Sequence, residues 1–424
     1  MKKFIRVRPN GPLKGEVKID GAKNSGLKLL AATLLTKEEV IIRNLPKLRD
    51  VEVMLDVLEY LGSKIERLDD TSVKILNDNI KDYITPLDLM NKMRASFVVT
   101  GPLLSRCGRA ITYMPGGCSI GARPVDLHLK GFEALGAKVH TGIDAIDVSA
   151  ENGLVGNNIY LDFPSVGATE NIMMAAVLAN GTTTIDNAAQ EPEITDLANF
   201  LNKIGAKIRG AGTKTIEIVG VKELKGGEHS VMPDRIEAAT YMIAGAITKG
   251  DVTVTDVVEA HLIPVIAKLK EIGCEVIVNE DEDKIRVIGA EHPVATNIKT
   301  LPYPGLATDV QSQFMTLLTV CDGDSKVEET VFENRFMHVE ELQKMKALII
   351  TEGNEARIKG VPNLVGTDVK ATDLRAGASC ILAGLVAEGE TRVHDIYHIY
   401  RGYNDFENKF KNIGADIEVV KVEG

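Results

Sequence analysis

An apolar helical run that stops in a small turn and passes into a strand occurs six times along this chain, as LGSKIE, LGAKVH, IGAKIR, IGCEVI, MKALII and IGADIE. The turns fall at Gly62, Gly136, Gly205, Gly273, Lys346 and Gly414. A spacing of roughly 70 residues marks a repeat architecture whose unit holds several elements. Five of the six turns carry Gly, which takes a left-handed helix cap without a Cβ penalty. Lys346 breaks that pattern. With 424 residues the chain exceeds one usual domain, and six units divide naturally into two lobes of three.

One unit reads as helix, strand, helix, then two strands: AKNSGLKLLAATLL, EEVIIRN, KLRDVEVMLDVLEYLG, SKIERL and SVKIL. The first helices of later units, as in NIMMAAVLA, AATYMIAGAI and ASCILAGLVA, are apolar nearly all round, so they belong inside each lobe with the strands outside. Most open on small or capping residues: Asn24-Ser25-Gly26, Ala95-Ser96, Gly167-Ala168-Thr169, Pro233-Asp234, Thr308-Asp309 and Thr372-Asp373. Unpaired N–H groups and the positive dipole end at such openings attract anions.

Charge narrows the function. A formal net charge of −11, with no basic stripe among aromatics, excludes nucleic-acid binding as the main task. No apolar stretch reaches the roughly 20 residues of a membrane span, and MKKFIRVRPNG leads into a strand rather than a signal peptide, so a cytoplasmic enzyme is expected. Cys107, Cys118, Cys274, Cys321 and Cys380 form an odd, scattered set, which argues for free thiols and offers no zinc spacing. All but Cys118 read as small core residues. Lys23, Arg94, Arg123, Arg335, Arg375 and Arg401 sit beside small or helix-starting residues. If they converge, an acidic protein carries a cationic pocket for a polyanionic ligand.

The densest motif is MPGGCSIGARPVDL, from Met114 to Leu127. Its glycines have P-loop spacing, but Ala122-Arg123 follows where Lys-Ser/Thr is required. Two readings stand beside each other: a Gly-hinged lid that delivers Cys118 to a ligand, or a Gly-rich turn with an inert thiol. Glu191 and Glu193 in QEPEITD read as helix-capping carboxylates. His128, His338 and His398 show no metal spacing and read as packing or polar-network residues.

PGGCSIGARPVDLH, together with GAKNSG, SVGATENIM, AAQEPEITDLANFL, PDRIEA, TDVQSQF, FENRFMHVEEL, ATDLRA and YHIYRGY, resembles the enolpyruvyl transferases in the same order along the whole chain. Within them it is most similar to the branch serving bacterial cell-wall synthesis. The resemblance implies a two-domain inside-out α/β barrel with three repeats per domain, helices inside and sheets outside. The domains would be residues 21–232, carrying the Cys118 loop, and residues 1–20 with 233–424, with substrates meeting between them. It implies transfer of the enolpyruvyl group of phosphoenolpyruvate to the 3′-hydroxyl of UDP-N-acetylglucosamine, releasing phosphate, as the first committed step of peptidoglycan synthesis. Addition and elimination at C2 break a C–O bond and leave phosphorus alone, so neither a metal clamp nor a cofactor is expected.

Residue roles follow from the same resemblance. Cys118 is the loop acid and can be trapped by an epoxide. Lys23, Arg123 and Arg401 grip the phosphate and carboxylate of phosphoenolpyruvate, a task suited to cationic forks. Asp309 is the base for the sugar hydroxyl. Asn24, Arg94, Arg123, Pro124, Val125, Asp126, Leu127, Ser165, Val166, Gly167 and Val331 hold the UDP-sugar, while Arg335, Asp373 and Arg375 complete the substrate-binding set. The sequence departs from the family at Leu306-Ala307, where Phe-Pro is usual, at Phe163, and after Arg401. Two other readings remain open: transfer to shikimate 3-phosphate, whose enzymes lack the PGGCSIGARP loop, and a catalytically weak or regulatory paralogue of the same fold.

Overall fold

The structure, a computed structural model, describes residues 2–92, 94–113 and 125–422, with the backbone alone at residues 2, 90–92, 94–96 and 422. The described residues form two compact units, each with its own hydrophobic core. The first runs from Gly21 to Met232; the second joins the residues up to Asp20 to those from Pro233 onward.

The repeat is a physical unit. In its fullest form an inner helix, Arg235–Ile247, precedes strand Asp251–Thr255, an outer helix, Ile263–Ile272, and the hairpin strands Glu275–Asn279 and Lys284–Ile288. Every residue of the inner helix from Ile236 to Ile247 is buried, as are all eight of Gln311–Leu318 and Arg375 to Gly384 in Leu374–Gly384. A helix with no polar face has nowhere stable but an interior. Outer helices carry an apolar stripe only: Arg49–Leu61 buries Val51, Met54, Leu55, Leu58 and Leu61 and exposes Glu52, Asp56 and Glu59. The central strands alternate, so Val252 and Val254 face the helices while their neighbours stay partly wet, the period-2 pattern of a sheet with one solvated face.

Among the described residues the strands make five four-stranded sheets and one of three strands. Each four-stranded sheet pairs a parallel neighbour with an antiparallel hairpin or its equivalent, and in three of them one strand comes from far away in sequence. Lys14–Lys18 lies parallel to Asp251–Thr255, with Gly15 opposite Val252. Lys2–Arg8 pairs antiparallel with both Thr391–His394 and Asp416–Val422, supplying the strand the sixth repeat lacks. Gly227–Ser230 in turn lies parallel to Glu39–Arg43. In the three-stranded sheet the place of the parallel strand is taken by a single bridge, Ile84 to Ile111.

All six repeat turns adopt positive φ, including Lys346 at 71°. A Cβ at Gly136, Gly205 or Gly414 would meet nothing within 4 Å, so the preference for Gly there is a backbone effect alone. One thiol departs from expectation. Cys107 ends helix Thr100–Cys107 and is exposed, because the helix stops there at Gly108 in a left-handed cap. Cys274, Cys321 and Cys380 are buried, and burial pushes the Cys321 thiol up to about 12.

The chain changes units at Asp20 and Pro233, and a buried polar knot holds both ends within the second unit. The Asp20 amide donates to Glu237 Oε2 at 2.8 Å, and the Asp234 amide donates to the Asp20 carbonyl at 2.9 Å. Lys409 Nζ donates to Asp20 Oδ2 at 2.9 Å and to Glu237 Oε1 at 2.6 Å. Burial pushes the Glu237 carboxyl up to about 7, against the pull of the Lys409 ammonium.

Lys346→Gly is expected to raise stability by about 0.5–1 kcal/mol and Gly205→Ala to lower it by about 1 kcal/mol, read from chemical denaturation midpoints. Glu237 keeps its proton in the folded state to higher pH than in the unfolded chain. Its contribution is therefore fully present below the ordinary glutamate range and lost as pH rises toward 7, by roughly 3 kcal/mol at most. Glu237→Gln should flatten that part of the stability–pH curve; an unchanged slope would contradict the assignment.

Candidate functional site

In the first unit, helix Lys23–Ala32 opens without a side-chain cap. Its Lys23 is buried and pairs with Asp50 Oδ2 at 2.7 Å, on the first turn of Arg49–Leu61. Ser25 Oγ donates to Asp196 Oδ2, which also accepts from the Met232 amide at 3.3 Å, while Asp196 Oδ1 meets His229 Nε2 at 2.8 Å. One carboxylate thus ties the helix opening to the segment where the unit ends. Asn24 follows Lys23, half-buried, with its carbonyl accepting from Lys28 Nζ at 3.0 Å.

Helix Val166–Ala176 opens on Ser165, whose Oγ accepts from the Ala168 amide at 3.3 Å. Gly167 packs closely on a neighbour, since a Cβ there would stand 3.2 Å from the His128 ring. The Asn171 Oδ1 accepts from the Gly101 amide at 2.7 Å, so its Nδ2 faces His128 Nδ1 at 3.1 Å. Burial and the Lys28 charge push the His128 imidazole down to about 4, so at neutral pH it is uncharged and carries its hydrogen on Nε2. Val125 and Asp126 start the neighbouring helix Asp126–Ala134, with Leu127 packed on the core.

The second unit gathers a denser set. Asp309 lies in the 3-10 turn Thr308–Val310 that leads into Gln311–Leu318. It does not cap that helix: Oδ1 accepts from Arg335 Nη2 at 2.7 Å and Oδ2 from Arg375 Nη2 at 3.2 Å. Both guanidiniums are almost fully buried, whereas the Asp309 side chain is 28% exposed. Asp373 caps the helix Leu374–Gly384, accepting from the Arg375 and Ala376 amides at 2.7 and 3.1 Å, and so orients Arg375 from its own backbone. The Arg375 guanidinium lies 5.4 Å over the Tyr403 ring. Arg401 ends the turn Ile396–Arg401, half-buried. Burial, helped by the Arg401 charge, pushes the neighbouring His398 imidazole down. Gly402 lets that turn sit on the helix, since a Cβ there would meet Leu374 Cδ1 at 2.5 Å.

Several supporting groups carry no sequence signal. Glu329, buried, takes hydrogen bonds from Thr300 Oγ1, Thr308 Oγ1 and the Val331 and Phe332 amides at 2.8–3.1 Å. It therefore fixes both the turn before Asp309 and the loop of Val331. That turn is held further by Leu301 N to Leu306 O at 3.0 Å and Val310 N to Ala307 O at 3.1 Å. Gln313 Nε2 donates to the Asp309 carbonyl at 3.0 Å and to Thr240 Oγ1 at 3.2 Å. Glu329 reads in sequence as a strand-end acid and Gln313 as an ordinary helix residue. Only the fold assigns them work.

Among the expected residues, Cys118, Arg123 and Pro124 lie outside the described residues, as does the Arg94 side chain, whose backbone opens the turn Arg94–Val99. The structure joins Asp309, Arg335, Arg375 and Asp373 directly and brings in Val331 through Glu329. Glu191 occupies the N-cap position of Pro192–Lys203 but makes no side-chain capping bond, a correction to its reading as a cap. The Pro at the next position already supplies the helical φ and has no N–H to satisfy. Among the described residues no group of three His, Cys, Asp or Glu side chains could hold a metal ion, and no helix is long and apolar enough to cross a membrane. What the second unit offers is a partly exposed carboxylate held by two buried guanidiniums. That is the equipment for taking a proton from a hydroxyl and binding oxyanions.

A family model described as EPSP synthase (3-phosphoshikimate 1-carboxyvinyltransferase) matches residues 7–410. The chain is 63% identical over 419 residues to a UDP-N-acetylglucosamine 1-carboxyvinyltransferase of Finegoldia magna, covering 99% of each chain. It is 56% identical over 415 residues to UDP-N-acetylglucosamine 1-carboxyvinyltransferase 1 of Caldanaerobacter subterraneus, covering 98% of this chain and 99% of that one. In structure it is similar to the enolpyruvyl transferase NikO from Streptomyces tendae, with a TM-score of 0.89 at 24% identity over the whole of both chains. An EPSP synthase from Acinetobacter baumannii gives a TM-score of 0.77 at 18% identity over 99% of this chain and all of that one. These two likenesses speak to the fold, which is that of the enolpyruvyl transferases, six small sheets and all. The chain belongs to the EPSP synthase family of enolpyruvyl transferases.

Proposed function

We infer that this protein transfers the enolpyruvyl group of phosphoenolpyruvate to the 3′-hydroxyl of UDP-N-acetylglucosamine, the committing step toward peptidoglycan. The observation that carries this reading is whole-length identity of 63% to a relative named for that reaction. The geometry supports it through Asp309, a partly exposed carboxylate gripped by Arg335 and Arg375. Asp309 accepts the proton of the sugar hydroxyl as its oxygen bonds to C2 of phosphoenolpyruvate, and a proton is added at C3. Loss of a C3 proton with cleavage of the C2–O bond then releases inorganic phosphate and restores the double bond. Negative charge builds on the departing phosphate, which fixed cations stabilise.

Within each unit the residues have distinct tasks. Asn24, with the Ser165–Gly167 opening, faces the anionic UDP-sugar, while Lys23 joins Arg123 and Arg401 on phosphoenolpyruvate. Lys23 enters this task from an ion pair with Asp50, so ligand binding exchanges one anionic partner for another rather than ordering a free side chain. Arg401 and Arg123 serve the phosphate and carboxylate of phosphoenolpyruvate. Arg335, Arg375 and Asp373 hold the base, and Val331 lies against the sugar on the loop that Glu329 pins. Cys118 gives the proton to C3.

Phosphate release from phosphoenolpyruvate is expected with UDP-N-acetylglucosamine as acceptor and not with shikimate 3-phosphate; turnover with the second acceptor alone would replace this reading. Asp309→Asn, which keeps the shape and loses the base, should lower kcat by about 10²–10⁴ with a much smaller change in KM for the UDP-sugar. Cys118→Ala should abolish both turnover and labelling by an epoxide, whereas Cys118→Asp, still a proton donor, should turn over and escape labelling. An active, unlabelled alanine variant would remove the thiol from the mechanism.

A further inference from the structure

Glu170 is wholly buried on the Val166–Ala176 helix, one turn beyond the Ser165–Gly167 opening. Lys28 sits one turn into the Lys23–Ala32 helix, and its Nζ lies 3.0 Å from Glu170 Oε2 and 3.0 Å from the Asn24 carbonyl. Neither Glu170 oxygen stands in hydrogen-bonding geometry to a donor among the described residues, so Lys28 meets the carboxylate as a close charge contact. The two helices pack chiefly on different neighbours: the Lys23 helix on Arg49–Leu61 and Pro192–Lys203, the Val166 helix on Thr100–Cys107 and Asp126–Ala134. One ammonium therefore ties the backbone at one anion-facing opening to the helix beneath the other. We propose that the Lys28–Glu170 pair is a positioning device that sets the Lys23–Asn24 opening against the Ser165–Gly167 opening and thereby the affinity for the UDP-sugar.

The surroundings make a purely stabilising role a poor explanation. A buried ion pair seldom outperforms apolar side chains of similar volume, because both charges are stripped of water. Here Glu191 and Glu193 from the Pro192 helix add repulsion, and burial pushes the Glu170 carboxyl up to about 7. His128, the titratable group from the Asp126 helix, is held neutral partly by the Lys28 charge. A site that costs this much to ionise is better explained by what it aligns: a charge contact reaching both helices, which two apolar side chains would not reproduce.

The proposal rests on the substrate reading above, and its test separates the two. In Lys28→Met/Glu170→Met the thermal midpoint should stay at or above that of the parent. Its KM for UDP-N-acetylglucosamine should rise about tenfold, while kcat and KM for phosphoenolpyruvate stay within about twofold. Glu170→Gln, which keeps the side chain's shape and turns a carbonyl dipole toward Lys28, should hold the UDP-sugar KM within about threefold of the parent. In the ligand-free protein, amide hydrogen exchange across residues 24–28 should be faster in the double variant than in Glu170→Gln. A stable double variant with parental KM and parental exchange overturns the proposal. If the parent shows no saturation by UDP-N-acetylglucosamine, the substrate reading has failed, and the exchange comparison still decides the role of the pair.

Discussion

A helix without a polar face constrains everything around it. Gln311–Leu318 and most of Arg235–Ile247 and Leu374–Gly384 are buried on every side, so strands and outer helices must surround them, and groups able to meet a ligand are driven to the helix ends. Burying each large apolar side chain contributes about 1.5–3 kcal/mol. That driving force is large enough to carry a few costly polar groups at the openings. Lys23, Ser165, Asp234, Asp309 and Asp373 all stand at or beside such openings, where unpaired N–H groups and dipoles already favour anions.

Charge burial follows from that arrangement. Arg335 and Arg375 are almost completely removed from water yet share Asp309 between them, and Asp373 spends its carboxylate on two backbone amides. Such contacts add little to stability on balance. They remove rotational freedom instead, so the Asp309 carboxylate and both guanidiniums are held in one arrangement, the kind of preorganisation that leaves little to reorder on binding a ligand. Glu329 extends the same logic to the backbone, pinning two loops with one carboxylate.

Much of the fold was legible in the sequence. Six copies of a helix–turn–strand pattern, with Gly at five of the turns, gave the repeat, and each turn takes the left-handed conformation that Gly permits, Lys346 included. Apolar periodicity separated inner from outer helices. The strand exchange at Lys2–Arg8, Lys14–Lys18 and Gly227–Ser230 was not readable from periodicity, since a strand's pattern names the face it buries and not the partner it pairs with. The motif-bearing residues of the site were visible, but Glu329, Gln313, Lys28 and Glu170 were not. Each is an unremarkable residue type in an unremarkable local context, and each acts across more than one element.

The sequence alone therefore determined what is local: helix and strand periods, the left-handed turns, the apolar faces, and the motifs whose order resembles a known chemistry. Tertiary structure decided which strands complete which sheet, that Asp309 is shared by two guanidiniums rather than spent on a helix cap, and that one lysine reaches a carboxylate on a second helix. The reason is physical. Backbone preference and hydrophobic period act over a few residues, whereas a hydrogen bond or ion pair between groups hundreds of positions apart exists only once the cores have brought them within about 3 Å.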